Sequence, residues 1–163
     1  MNYTKLIKLM YIIEREAISR WGLPVIYDDY YSLNCGPILS NTLDNITGNS
    51  YYRQPSADWE RYIIPDGRFN VRLETERKVG KLNRAEVKLI DEIYERFGGM
   101  TWEDLIDWTH DQKNVPEWEN PKGSRLPIEI KTILMQSGFQ EDEINEILEE
   151  IEVSQSAREL LAV

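Results

Sequence analysis

The stretch Leu33–Ile46, LNCGPILSNTLDNI, decides how this chain is read. It holds the only cysteine, Cys35, directly before Gly36 and Pro37. Pro37 has no amide hydrogen and a fixed φ, which suits the first turn of a helix, where that hydrogen has no partner. Gly36 permits a sharp change of direction. Ile38, Leu39, Leu43 and Ile46 follow at helical spacing, and Gly48 ends the run. Gly36-Pro37 therefore reads as a corner between a strand and a helix. A cysteine at a helix N-terminus can be activated. A nucleophilic cysteine also needs a base, and the single histidine, His110, is remote in sequence. Cys35 reads as part of a structural corner.

Upstream, Leu6, Leu9, Met10, Ile13 and Ala17 form one apolar face of a first helix, widened by Ile7, Tyr11 and Ile12. Thr4 is the expected cap, and Trp21-Gly22 with Pro24 is the expected stop. Lys5, Lys8, Glu14, Arg15 and Glu16 include the expected solvated positions. VIYDDYYSLN (25–34), aromatic and β-branched, predicts a strand. Adjacent strand residues face opposite ways, so Asp28 and Asp29 do not form a catalytic pair there.

Downstream, WERYIIPDGRFNVRLE (59–74) predicts a hairpin turning at Pro65-Asp66-Gly67, with Phe69, Val71 and Leu73 on one face. The strand at 26–33 is expected to join it in a three-stranded sheet. Asn83 and Glu86 predict a capping box for a helix with a Val87, Ile90, Tyr94, Phe97 stripe. Thr101 caps the next helix, whose expected buried face is Trp102, Leu105, Ile106 and Thr109. Residues 110–127 form a long irregular stretch in which Trp118 packs inward. Pro127 is expected to open a helix that ends before Gly138. Phe139 and Ile144 are placed as a hydrophobic staple, and Ile144, Ile147, Leu148 and Ile151 form the stripe of a last, strongly acidic helix.

These elements predict a mainly helical α+β single domain with a small antiparallel sheet, a hairpin plus one strand. The expected domain covers 1–152, and 153–163 is a short C-terminal helix or tail.

The 163 residues hold 29 Asp and Glu against 19 Lys and Arg, a net charge of −10. Such a surface repels phosphate backbones and draws basic partners. Nucleic-acid binding by this chain alone is disfavoured. One cysteine forms no internal disulfide, no Cys/His cluster suits zinc, and no apolar run approaches a membrane span. The charged N-terminus does not resemble a signal peptide, so a reducing cytosol is expected. No phosphate loop, GxSxG, HExxH or CxxC motif is present. His110 reads as a histidine satisfying a helix C-terminus. No catalytic residue, metal site or cofactor is expected.

KLIKLMYIIEREAISRWGLPVIYDDYYSLNCGPILSNTLDNITG (5–48) resembles the start of a Panacea domain. That family shows a KLxxLxY-like first helix, an aromatic strand and a Gly-Pro corner. LNRAEVKLIDEIYERFGGMTWEDLIDWTHD (82–111) resembles its second half, a capped helix, a Gly-Gly break and a helix ending in Thr-His. Trp118 and LPIEIKTILMQSGFQEDEINEI (126–147) fit one branch. Many members carry His before Gly-Pro, where this chain has Cys35, so any role of that histidine is altered here.

The resemblance implies an antitoxin encoded beside a small toxin, often on phages and mobile elements. It implies neutralisation by direct protein–protein binding. A basic toxin is the expected partner, since opposite charge speeds encounter. One alternative is a proteolytic adaptor that presents the toxin to a bacterial protease. Another is an enzyme with an unrecognised site around His110, Cys35 and Asp28. The expected partner-binding residues are Asp28, Asp29, Tyr31, Asn34, Tyr51 and Tyr52. Cys35, Gly36, Pro37 and His110 are expected to be structural.

Overall fold

A computed structural model describes residues 1–48, 57–76 and 80–161. Tyr51 and Tyr52 lie outside the described residues. The chain folds as α+β around its first helix, α1 (Tyr3–Trp21). The cap of α1 is Asn2, not Thr4: the Asn2 side chain accepts from the amides of Thr4 and Lys5 at 2.8 and 3.2 Å. Gly22 closes the helix at φ 77°. This helix buries residues around most of its circumference, including Lys8 and Glu14, which the sequence pattern assigned to water.

Two apolar clusters share α1. Tyr11 and Ile18 join Tyr30, Leu39, Trp118, Ile128, Leu134 and Ile144 on one side. Leu9, Ile12 and Ala17 join Leu89, Ile93, Phe97 and Leu105 on the other. Trp108 packs against both.

The Gly-Pro stretch is strand, not helix. β1 (Tyr30–Leu33) and β2 (Gly36–Leu39) form an antiparallel hairpin with Leu33 opposite Gly36. Asn34 and Cys35 make its turn, and Gly36 completes the reversal at φ 94°, the role glycine takes after a type I turn. Pro37 lies opposite Ser32 on an outer strand, where a missing N–H is tolerated. Helix α2 (Ser40–Thr47) starts four residues after Gly36.

After α3 (Ala57–Tyr62) come β3 (Ile63–Pro65) and β4 (Val71–Leu73). They pair as expected, but as a separate two-stranded ribbon. The ribbon's neighbour is the N-terminal segment: the Tyr3 amide donates to Phe69 O at 2.9 Å and the Val71 amide to Met1 O at 2.8 Å. Only Val71 of the expected apolar face is buried; Phe69 and Leu73 are exposed.

α4 (Arg84–Phe97) carries the expected Asn83–Glu86 capping box. Its buried face is Leu89, Ile93 and Phe97, and Tyr94 points outward. α5 (Trp102–His110) carries a Thr101–Asp104 capping box and buries Leu105 and Thr109, while Trp102 is exposed.

The third strand of the first sheet is β5 (Leu126–Ile128), which pairs with β1 and places Pro127 opposite Tyr31. Pro127 thus sits in an outer strand rather than opening a helix. α6 (Ile130–Gln136) follows, then α7 (Glu141–Leu161). α7 continues unbroken past residue 153, the expected start of a separate helix or tail, to Leu161. Its stripe is core as expected, with Ile144 and Ile151 buried and Ile147 and Leu148 packed beside them. Among the described residues no helix is long and apolar enough to cross a membrane.

Candidate partner-binding face

Three buried titratable groups hold α1 to the β1–β2 hairpin and the 111–125 loop. Lys8 Nζ donates to the Pro37 carbonyl at 2.7 Å. Burial pulls its pKa down to about 7, against a smaller opposing pull from Cys35. Glu14 accepts from the Val25 and Ile26 amides at 2.9 and 3.0 Å and from Tyr30 Oη at 2.7 Å. Burial still raises its pKa above the usual carboxylate value, because the hydrogen bonds oppose that effect only in part. Glu117 Oε1 accepts from Tyr11 Oη and Arg15 Nε, each at 2.8 Å.

The hairpin turn rests on α5. A Cβ on Gly36 would lie 2.8 Å from Thr109 Oγ1 and 2.9 Å from Lys8 Nζ. Glycine is required there on both conformation and space. His110 stacks on Trp118 at 4.2 Å between ring centroids, and Trp118 Nε1 donates to Leu33 O at 3.2 Å. His110 Nε2 is buried with no hydrogen-bond partner, so stacking, not a backbone hydrogen bond from that nitrogen, explains its position. Burial and the neighbouring Lys8 hold its pKa below the usual imidazole value. Asp111 is turned to its own loop, accepting from the Lys113 amide at 2.9 Å. Cys35 is exposed at the turn.

The residues expected to meet a partner separate into distinct environments. Asp28 is buried, not exposed. Its carboxylate accepts from the amides of Asp29, Asn41 and Thr42 and from Thr42 Oγ1, at 2.7 to 2.9 Å. It thereby caps α2, whose own N-cap residue, Leu39, offers no side-chain acceptor. Asp29 is exposed, with Asn41 Nδ2 at 3.4 Å. Tyr31 is half-buried, and the Arg125 guanidinium lies 4.5 Å over its ring. Asn34 is exposed at the turn and accepts from the Gly123 amide at 3.1 Å.

Asp29 and Tyr31 share a groove of about 380 Å³ between the β1–β5 pair and α7. Sequence reasoning missed its other walls: Glu129 and Lys131 from the β5–α6 junction, and Leu148, Ile151 and Gln155 from α7. The acidic, amphipathic pattern of 140–152 was the available signal, but its apolar stripe is also core. A second concavity, about 320 Å³, lies between α1 and α4 and is lined by apolar residues such as Met10, Ile13, Leu82 and Tyr94. Among the described residues no group of three His, Cys, Asp or Glu side chains is arranged to hold a metal ion.

The described residues therefore define a small α+β domain whose buried titratable groups support a Gly-Pro hairpin and whose acidic-rimmed groove is open. Residues 6–119 match the family model described as antitoxin SocA-like, Panacea domain, and the chain belongs to that family. No curated protein matches the chain, and no solved structure does.

Proposed function

We propose that this chain is an antitoxin that neutralises a cognate toxin in the cytosol by direct protein–protein contact, without chemistry of its own. The observation that carries this reading is the family match, which spans 114 of 163 residues (6 to 119 inclusive). The net charge of −10 supports a basic toxin as partner. Asp29, Tyr31 and Asn34 are the contact residues on this reading. Asp28 acts from beneath by holding α2 against the strand that carries them.

The test is co-expression with the small open reading frame beside the gene. Growth arrest by that frame, relieved by this chain, with the two proteins co-purifying as a complex, is the expected result. Cys35→Ser should rescue growth as well as the parent does. Arrest that persists despite full expression overturns the reading. Relief that requires a host protease, with the toxin disappearing, replaces direct neutralisation with presentation for degradation.

A further inference from the structure

The groove between β1, β5 and α7 has a mixed chemistry that narrows what it can hold. Its floor is apolar: Ile128 and Ile151 are buried, and Ile130 and Leu148 pack beside them. Its rim carries two exposed carboxylates, Asp29 and Glu129, side by side just beyond the Tyr30–Ile128 pair of β1 and β5. Among the described residues Lys131 lines the groove with its amine 3.9 Å from Glu141, and Arg125 stands beside the groove with its guanidinium over the Tyr31 ring. α7 adds the uncharged Leu148, Ile151 and Gln155 to the lining, and no Lys or Arg occurs between Lys131 and Arg158.

We propose that this groove seats a short basic amphipathic helix of a protein partner. Apolar side chains fill the floor while Lys or Arg side chains meet Asp29 and Glu129. The proposal rests on the reading of the domain as one that binds a protein. A nucleic-acid strand is repelled by the two rim carboxylates. Strand addition at β5 is also disfavoured, because Pro127 at its centre has no N–H to donate. Side chains must then carry recognition, the mode in which an amphipathic helix lies in a groove.

The probe is a synthetic peptide of about 18 residues with Leu and Lys at helical spacing. One control peptide has Glu for Lys, and another has Ser for Leu. Binding to the full chain is read by fluorescence anisotropy at low and physiological salt. The Leu/Lys peptide should bind. The variant Asp29→Lys/Glu129→Lys should weaken binding by about tenfold or more, roughly 1.4 kcal/mol. Asp91→Lys/Glu95→Lys, the same change of charge on exposed positions of α4, should weaken it by less than about threefold, under roughly 0.7 kcal/mol. Gln155→Trp, which fills the groove without changing charge, should also reduce binding, and thermal melts confirm that each variant is folded.

Equal loss in the two double variants would show a diffuse field and overturn the proposal. So would equal binding of the Glu peptide, which points to the uncharged pocket between α1 and α4, or of the Ser peptide, which needs no floor. Full growth rescue by Asp29→Lys/Glu129→Lys removes the groove as the toxin site and leaves the antitoxin reading standing. Groove-dependent peptide binding without any growth rescue does the reverse.

Discussion

Replacing Lys8 with Met should remove a pH dependence that the wild-type fold carries above neutrality. The Lys8 side chain is 1% exposed, and its amine faces the Pro37 carbonyl. Burial lowers its pKa from 10.5 to about 7. That gap corresponds to an upper limit of about 5 kcal/mol for keeping the amine charged in the folded state. Between pH 7 and 10.5 the unfolded chain binds a proton that the folded chain has released, so stability rises with pH. The penalty is fully present below pH 7. The rise approaches about 1.4 kcal/mol per pH unit and amounts to about 3 kcal/mol between pH 7 and 9.5. Lys8→Met has no such rise. It does leave the Pro37 carbonyl without its donor, which costs about 1 to 3 kcal/mol at every pH. The variant should therefore be more stable than the parent at pH 7, and that advantage should shrink by about 3 kcal/mol by pH 9.5. Urea unfolding at four pH values across this window measures the difference. Starting at pH 7 keeps the His110 titration out, and stopping at 9.5 avoids most of the ionisation of tyrosines in the unfolded chain. Parallel stability curves for parent and variant would refute the assignment of a mainly neutral, buried amine.

Gly36→Ala should destabilise the protein by about 2 kcal/mol or more, because φ 94° is strained for alanine and its methyl meets Thr109 and Lys8; a thermal melt within error of the parent would contradict this. Asp28→Ala should cost about 2 to 3 kcal/mol through the lost cap on α2, and hydrogen exchange should show faster opening of α2 than of α4. Glu117→Ala should cost about 3 kcal/mol, since it leaves the Tyr11 hydroxyl without its acceptor and Arg15 with the longer contact to Glu16; denaturant titration reads it directly. Asp29→Ala, by contrast, should change stability by less than about 0.5 kcal/mol while weakening toxin binding in a calorimetric titration.

What the sequence revealed is what is set within a few residues. The capping boxes at Asn83–Glu86 and Thr101–Asp104 close over three positions, and both are present. The Pro65-Asp66-Gly67 turn and the α7 stripe are equally local. Gly36-Pro37 and Pro127 misled for one shared reason. A missing amide hydrogen is as harmless on an outer strand as in the first helical turn. Only the pairing of both segments with β1 decides between the two; for Pro127 it joins residues nearly 100 positions apart (Tyr30 to Ile128), while Pro37 pairs with nearby Ser32. α4 carries two apolar stripes, and its contact with α1 selects Leu89 and Ile93 over Ile90 and Tyr94. The candidate site was legible only in its β1 half. Asp29 and Tyr31 stand in the groove, whereas Asp28 only edges it, its carboxylate turned inward to supply α2 with the acceptor that Leu39 lacks. Lys8 and Glu14 look like surface charges until their distant partners are placed around them.

The central position of α1 bears on how the molecule is made. The ribosome delivers this helix ahead of its partners: Ile18 and Tyr11 are covered by Leu134 and Ile144, and Gly22 lies under Ile147. Those residues emerge more than a hundred codons later. A nascent chain must carry this central helix with one apolar side uncovered until those residues are made, which is the condition under which chaperones bind and proteases cut. The helix at the centre of the core is thus one whose protection is completed late.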